Sequence, residues 1–250
     1  MTAPHPAPWF GVDRKRPGHY QGLRMKTDTN LHAQLEDLVT RLLAPGAGTS
    51  RPRVVDLGCG EGAFSQRLHD LGYEVLGVDV DADQFKARGP EFVALDLNDA
   101  AAVERFLGEY EGSPDLVLGI EVIEHLRNPW DLVAFCRRLC SDATHVLITT
   151  PNVASWWSRF WFVLTGELWG FNPESWDRPG HINPIAHVEM LGILRDSGME
   201  CLSVTPGGSL PVVWAYNWKR LVASLLMLPL RAVMRGPKDG WVLCYHARKK

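Results

Sequence analysis

The residues best equipped for chemistry are Glu121, Glu124 and His125, in the run Glu121–Val122–Ile123–Glu124–His125–Leu126. If the chain turns helical there, the three fall at i, i+3 and i+4, on one face. Two carboxylates and an imidazole converging in this way are residue types that take up a proton or hold a cation. A second candidate lies upstream, at Val54–Val55–Asp56–Leu57–Gly58–Cys59–Gly60–Glu61–Gly62. Its spacing, Asp-x-Gly-x-Gly-x-Gly, is not the Gly-x-Gly-x-x-Gly of dinucleotide sites. It also lacks the Lys-Ser/Thr ending of a phosphate loop. Gly58, Gly60 and Gly62 permit positive φ and let backbone approach a ligand closely. The loop is therefore expected to face a cofactor without a phosphate chain.

Both candidates need a scaffold, and the flanking pattern supplies one. Two valines and a leucine make Val54–Leu57 a buried strand, and Ala63–Leu68 starts a helix. Strand, Gly-rich turn and helix build a nucleotide-sized crevice at the carboxyl edge of an α/β sheet. Further strands are expected at Glu74–Asp79, Phe92–Leu95, Pro114–Ile120 and His145–Thr150. The second ends in Asp79, where a carboxylate accepts hydrogen bonds from both hydroxyls of a ribose; the alternative is a helix cap, shared with Asp81 and Asp83. Asp99 is expected to cap a helix over Ala100–Tyr110. Asn128–Pro129 begins another, with Trp130, Leu132, Val133 and Leu139 inward. Upstream, Asp28–Thr29–Asn30 is expected to cap an amphipathic helix through Leu31, Leu35, Leu38, Val39 and Leu42, while residues 1–27 are expected to be irregular.

After the fifth strand the alternation breaks. Residues 153–180 hold Trp156, Trp157, Trp161, Trp169 and Trp176, half of the ten tryptophans. This stretch is expected to be a helical insertion, forming either a lid and substrate wall or a satellite hydrophobic core. His181 follows, then a helix from Pro184 to Ser197 and a strand at Cys201–Val204. The run Trp218–Met234, flanked by Arg220, Arg231 and Arg235, reads either as an interfacial helix on a lipid surface or as a helix packed on the sheet, with Pro229 ending or kinking it.

At 250 residues the chain suits one α/β domain. A net charge of −3 and a pI near 6.3 give no general reason to bind nucleic acid. Five cysteines without a framework spacing suggest reduced thiols and a cytoplasmic setting. No apolar run reaches the roughly 18–20 residues that span a bilayer.

The segment Val54–Gly62, followed at successive strand ends by Asp79, Asp96 and Glu121–His125, resembles the Rossmann-like class of S-adenosylmethionine-dependent methyltransferases. The resemblance runs from about residue 28 to 196. It implies a seven-stranded, mostly parallel sheet of order 3-2-1-4-5-7-6, helices on both faces, and a last strand, Trp241–His246, added antiparallel. The methyltransferase domain then spans 28–250, with insertions at 153–180 and 210–237. It also implies cofactor contacts from Asp56, Gly58, Cys59, Gly60, Gly62, Asp79, Val80, Asp96, Leu97, Ile120 and Glu121, with Asp96 against the adenine amino group. A leading helix covers the site in this class, and Tyr20 and Arg24 are placed to reach the cofactor.

Methyl transfer from a sulfonium is an in-line displacement, so the protein must mainly align the nucleophile and exclude water. A hydroxyl nucleophile also needs its proton removed, by a base or by a metal that lowers its pKa. His125 and Glu121 are the candidate bases. The terminal ribose methyltransferases of small RNAs carry a similar Glu-x-x-Glu-His and a downstream histidine. By that resemblance Glu121, Glu124, His125 and His181 form a Mg²⁺ or Mn²⁺ site. The ubiquinone-biosynthesis and methionine-biosynthesis-type enzymes share a similar segment that lines the cofactor pocket instead. The resulting expectation is an O-methyltransferase acting on a small-molecule, glycan or lipid-linked acceptor, cytoplasmic, with peripheral membrane contact. An RNA terminal 2′-O-methyltransferase and a non-catalytic S-adenosylmethionine-binding regulator are the alternatives.

Overall fold

The computed structural model describes residues 18–28, 30–46, 51–208 and 218–250. Thr29, most of the expected irregular N-terminal segment and the first residues of the 210–237 stretch lie outside them. Within 18–27, where no regular structure was expected, His19–Tyr20 and Leu23–Arg24 form a two-rung antiparallel hairpin.

Seven strands make the main sheet: β1 Arg53–Leu57, β2 Glu74–Asp79, β3 Glu91–Ala94, β4 Leu116–Ile120, β5 His145–Pro151, β6 Met199–Gly207 and β7 Val242–Lys249. Their order is β3-β2-β1-β4-β5-β7-β6, as the resemblance implies. The first five are parallel; β7 runs antiparallel to both neighbours, pairing Val146 with Ala247 and Thr205 with Cys244. Central strands of a parallel sheet are covered on both faces, which is why β1, β4 and β5 read as nearly unbroken apolar runs.

The two faces separate cleanly along β1. Val54, with Leu116 and Leu118 of β4, meets α1 (Leu31–Leu42) and α2 (Ala63–Asp70) through Leu31, Leu35, Val39, Phe64 and Leu68. Val55 and Leu57, one residue out of phase, meet α4 (Pro129–Leu139) and α7 (His187–Asp196) on the other side, with α3 (Ala100–Glu109) packed at its edge. Asp99 caps α3, its carboxylate accepting from the Ala101 and Ala102 amides at 2.9 and 3.1 Å. Trp130 departs from expectation. It is partly exposed rather than inward, because it sits two residues from Leu132 and so on the opposite side of α4 from Leu132, Cys136 and Leu139.

The insertion after β5 is helical, with α5 (Trp156–Thr165) and α6 (Pro173–Asp177), and α8 (Trp218–Val233) lies against α5. Trp156, Trp157 and Met227 are buried together, with Trp161, Trp169 and Trp241 around them. The satellite core is therefore real. Pro229 does not end α8, which continues four residues beyond it.

Two expectations follow from the packing. Gly58 has φ +68°, and a Cβ there would lie 1.9 Å from the Val122 Cγ2, whereas Gly46, with φ +61°, has nothing within 4 Å. Gly58→Ala should cost about 2–4 kcal/mol in urea unfolding, and Gly46→Ala only about 1 kcal/mol. Equal losses would show that the clash is relieved. His32 on α1 is buried beside Phe64 and Arg67, and burial first, then the Arg67 charge, push its pKa from 6.5 down to about 3. The unfolded chain thus binds this proton at a higher pH than the folded one does, so stability falls as pH drops from 6.5 towards 3. His32→Gln should flatten the pH dependence of unfolding in that window; an unchanged slope would show that His32 does not resist protonation.

Candidate active site

The carboxyl ends of β1, β2 and β4 open into a cavity of about 510 Å³. It lies where the strand order reverses between β1 and β4, the place an open α/β sheet offers a crevice. Asp56, Gly58, Cys59, Gly60, Asp79, Val80, Asp96, Leu97, Ile120 and Glu121 all line it. Gly62 does not. It starts α2 with φ +81°, and its missing Cβ makes room for Phe85 and Ala87. Its glycine therefore serves the packing of the loop that follows β2.

The glycine loop is held by main-chain bonds. The Gly58 and Cys59 amides donate to the Val78 carbonyl at 2.7 and 3.2 Å, and the Gly60 amide donates to Asp79 Oδ2 at 2.8 Å. Asp79 Oδ1 accepts from the Asp81 amide at 3.1 Å, in a turn rather than at a helix start. The Asp79 carboxylate is thereby fixed at the cavity rim. At Gly60 a Cβ would meet only the Lys26 side chain, at 3.6 Å, so this position faces open cavity. Beneath the loop, Asp56 is fully buried. Burial raises its carboxyl pKa to about 7, against a hydrogen bond from Ser65 Oγ at 2.6 Å. Asp96 keeps one oxygen on the Asn98 amide at 2.8 Å.

At the end of β4 the backbone does something the sequence pattern does not show. Glu121 takes φ +52°, a left-handed conformation uncommon for a non-glycine residue, and only Ile123–His125 form a short 3₁₀ turn. Glu121, Glu124 and His125 are therefore not three residues on one helix face. Threonines at the end of β5 orient the two acids instead. Thr149 Oγ1 accepts from the Glu121 amide at 3.0 Å and donates to its Oε1 at 3.1 Å; Thr150 Oγ1 donates to Glu124 Oε2 at 3.3 Å. The other Glu124 oxygen, Oε1, is buried with no hydrogen-bond partner among the described residues.

The insertion returns at this point. The Glu124 carbonyl accepts from the amides of Ile182 and Asn183, both at 3.0 Å, and Asn183 Nδ2 donates to the Leu126 carbonyl. These bonds bring His181 beside His125, ring centroids 4.9 Å apart. His125 Nδ1 bonds to the Gly180 carbonyl at 3.0 Å, and His181 Nδ1 bonds to the Gly170 carbonyl at 2.7 Å. A carbonyl only accepts, so each Nδ1 carries the hydrogen and each Nε2 presents a lone pair. Glu124, His125 and His181 each offer a ligand atom within 4.8 Å of the others. Glu121, expected as a fourth ligand, falls outside this group. Both histidines line the cavity, and Glu124 lies behind them.

Burial sets the charge states. It raises the Glu121 carboxyl to about 8, opposed by the Thr149 hydrogen bond, and raises the Glu124 carboxyl well above the usual carboxylate range, reinforced by Glu121. It lowers His125, helped by His181, and lowers His181 despite the bond to Gly170. Neutral imidazoles are the form in which lone pairs are free to bind.

Several lining residues carry no readable motif. His32, Lys26, Thr27 and Pro179 reach the cavity, and Arg24 does so as expected. Tyr20 does not: its hydroxyl bonds to Asp70 at 2.9 Å and its ring lies against Arg67, both on α2. Among the described residues of the insertion only Pro179 and, just beyond it, His181 line the cavity; Trp156, Trp157, Trp161 and Trp169 pack into the satellite core, and Trp176 is exposed.

Comparison with known proteins agrees with this fold. Residues 27–204, more than two thirds of the chain, match the family model described as a methyltransferase domain. A ubiquinone biosynthesis O-methyltransferase of Cupriavidus pinatubonensis is 32% identical over 110 residues, 42% of this chain and 44% of that protein. One from Aromatoleum aromaticum is 33% identical over 113 residues, 42% and 47% respectively. The matched stretch thus spans less than half the length of these curated relatives. A SAM-dependent methyltransferase from Archaeoglobus fulgidus shares the fold, with a TM-score of 0.57, 20% identity, and coverage of 87% of this chain and 92% of that one. With its sheet order, its glycine loop and its acid-ended strands placed as described, the chain belongs to the methyltransferase domain family, in the class I, S-adenosylmethionine-dependent group.

Proposed function

We propose that the protein transfers a methyl group from S-adenosylmethionine to a hydroxyl of a small-molecule, glycan or lipid-linked acceptor, assisted by a divalent cation. The observation that carries this reading is the grouping of Glu124, His125 and His181 at the cavity the glycine loop opens into. The loop and Asp79 sit where an adenosine fits, with Asp79 on the ribose hydroxyls and Val80, Asp96 and Leu97 around the base. The acceptor then occupies the end bounded by Glu121, His125 and His181.

The residues present fit a metal. Glu124 Oε1 is an orphaned buried oxygen beside two imidazoles whose Nδ1 hydrogens are committed to carbonyls, the outer-shell arrangement that orients ligating histidines. Mg²⁺ and Mn²⁺ suit such oxygen and nitrogen donors with open positions left for an acceptor. A bound divalent ion supplies Lewis acidity, lowering the pKa of the hydroxyl it contacts. The chain itself does the rest. Thr149 and Thr150 hold the two carboxylates, the Gly180 and Gly170 carbonyls fix the imidazoles, and the sheet end aligns methyl and nucleophile. In a metal-free reaction the same His125 Nε2 is the candidate general base, since it is the lone pair facing the acceptor end.

The relatives' names support O-methyl transfer, and nothing in their names is needed beyond that. RNA is a poor fit for an acidic chain, and a purely regulatory role leaves the histidine pair without a task.

Two measurements test this. Asp79→Ala should weaken binding of S-adenosylhomocysteine about tenfold or more by calorimetry, from loss of charge-assisted hydrogen bonds; unchanged affinity would remove Asp79 from the ribose. Methylation of a panel of catechols, sugars and lipid extracts should depend on added Mg²⁺ or Mn²⁺. It should fall roughly 100-fold in Glu124→Gln and His181→Ala, with product binding retained. Turnover that persists in chelator would overturn the metal and leave His125 as base.

A further inference from the structure

α8 carries its apolar residues on the wrong side for a helix of a soluble core. Met227 alone among its described side chains is buried, against Trp156 and Trp157. Trp218, Val222, Leu225, Leu226, Leu230 and Val233, at spacings of three and four, instead form an exposed stripe along its length. Trp218, Leu226 and Val233 are 70%, 67% and 75% exposed. α5, packed on the same helix, ends in Phe162, Val163 and Leu164, which are exposed as well. Contiguous apolar surface of this kind marks an interaction site.

Charge identifies the occupant. Residues 218–238 contain five basic residues, Lys219, Arg220, Arg231, Arg235 and Lys238, and no acidic one, in a chain whose net charge is −3. Arg231 is held by Asp239 at 2.5 Å, and Arg159 of α5 donates to the Arg235 carbonyl at 2.8 Å, so the two helices are tied as one platform. An apolar stripe headed by tryptophan and bracketed by cations is the pattern of a helix that lies in the headgroup region of an anionic bilayer. No helix among the described residues is long and apolar enough to cross one. We infer that α8, with the end of α5, docks the protein on anionic lipid surfaces. The insertion that begins with α5 also ends at Pro179, beside His181, so the docked segment is continuous with the acceptor end of the cavity.

The test is flotation of the full chain with vesicles of phosphatidylcholine alone and with equimolar phosphatidylglycerol, at low and high salt. Binding is expected to the mixed vesicles, weakened by salt, and little to phosphatidylcholine. Leu226→Glu and Leu225→Glu, at exposed positions, should reduce binding about tenfold or more while leaving the unfolding curve and S-adenosylhomocysteine affinity unchanged. Arg235→Glu should weaken only the part that depends on anionic lipid. Absence of binding to either vesicle overturns the proposal. So does a stable dimer that Leu226→Glu converts to monomer with no vesicle binding, which would assign the stripe to a second copy. Equal binding to both vesicles overturns the anionic requirement.

Discussion

The site depends on one main-chain acceptor. The carbonyl of Glu124 receives the amides of Ile182 and Asn183, tying the far end of the aromatic insertion to the turn after β4. Together with the His125–Gly180 and Asn183–Leu126 bonds, that tie brings His181, more than fifty residues away in sequence, edge-on to His125. The same residue contributes its buried carboxylate to the group. One residue thus sets the position of the second histidine through its backbone and meets it through its side chain.

Holding those groups is costly. Three carboxyls, those of Asp56, Glu121 and Glu124, are raised by burial; Ser65 and Thr149 hydroxyls ease the first two, and a backbone hydrogen bond and the Thr150 hydroxyl ease the third. A buried carboxylate with too few hydrogen bonds is a penalty that folding alone has no reason to keep. A cation between Glu124 and the two imidazoles, as proposed, would offset part of it. The left-handed backbone at Glu121 belongs with it, since strain of this sort concentrates where chemistry occurs.

Much of this was legible beforehand because it is written locally. Val54–Gly62 combines strand, turn and helix start in consecutive residues, and the acids that close β2 and the segment after β3 sit directly after apolar runs. The sheet order came from resemblance. What stayed hidden depends on neighbours in space. Thr149 and Thr150 look like ordinary strand residues until β5 is laid beside β4, and His32 looks like one polar position on an amphipathic helix. Spacing groups Gly62 with Gly58 and Gly60, yet in space it lies against Phe85. The tryptophans of the insertion could not be divided in advance into core and surface, because aromatic content is the same in both. Helical spacing misled at Glu121 because one residue with positive φ breaks the phase between it and Glu124.

The seating of β7 between β5 and β6 has a kinetic side. Val146 meets Ala247 only after about a hundred intervening residues, including α5 to α8, have been arranged. Until then the edge of β5 that faces away from β4 offers bare amides and carbonyls to any extended chain nearby. Crowding during refolding therefore sets a race between the native partner arriving from within and a neighbouring molecule arriving first, and the slow-closing ladder makes protein concentration the winner's lever.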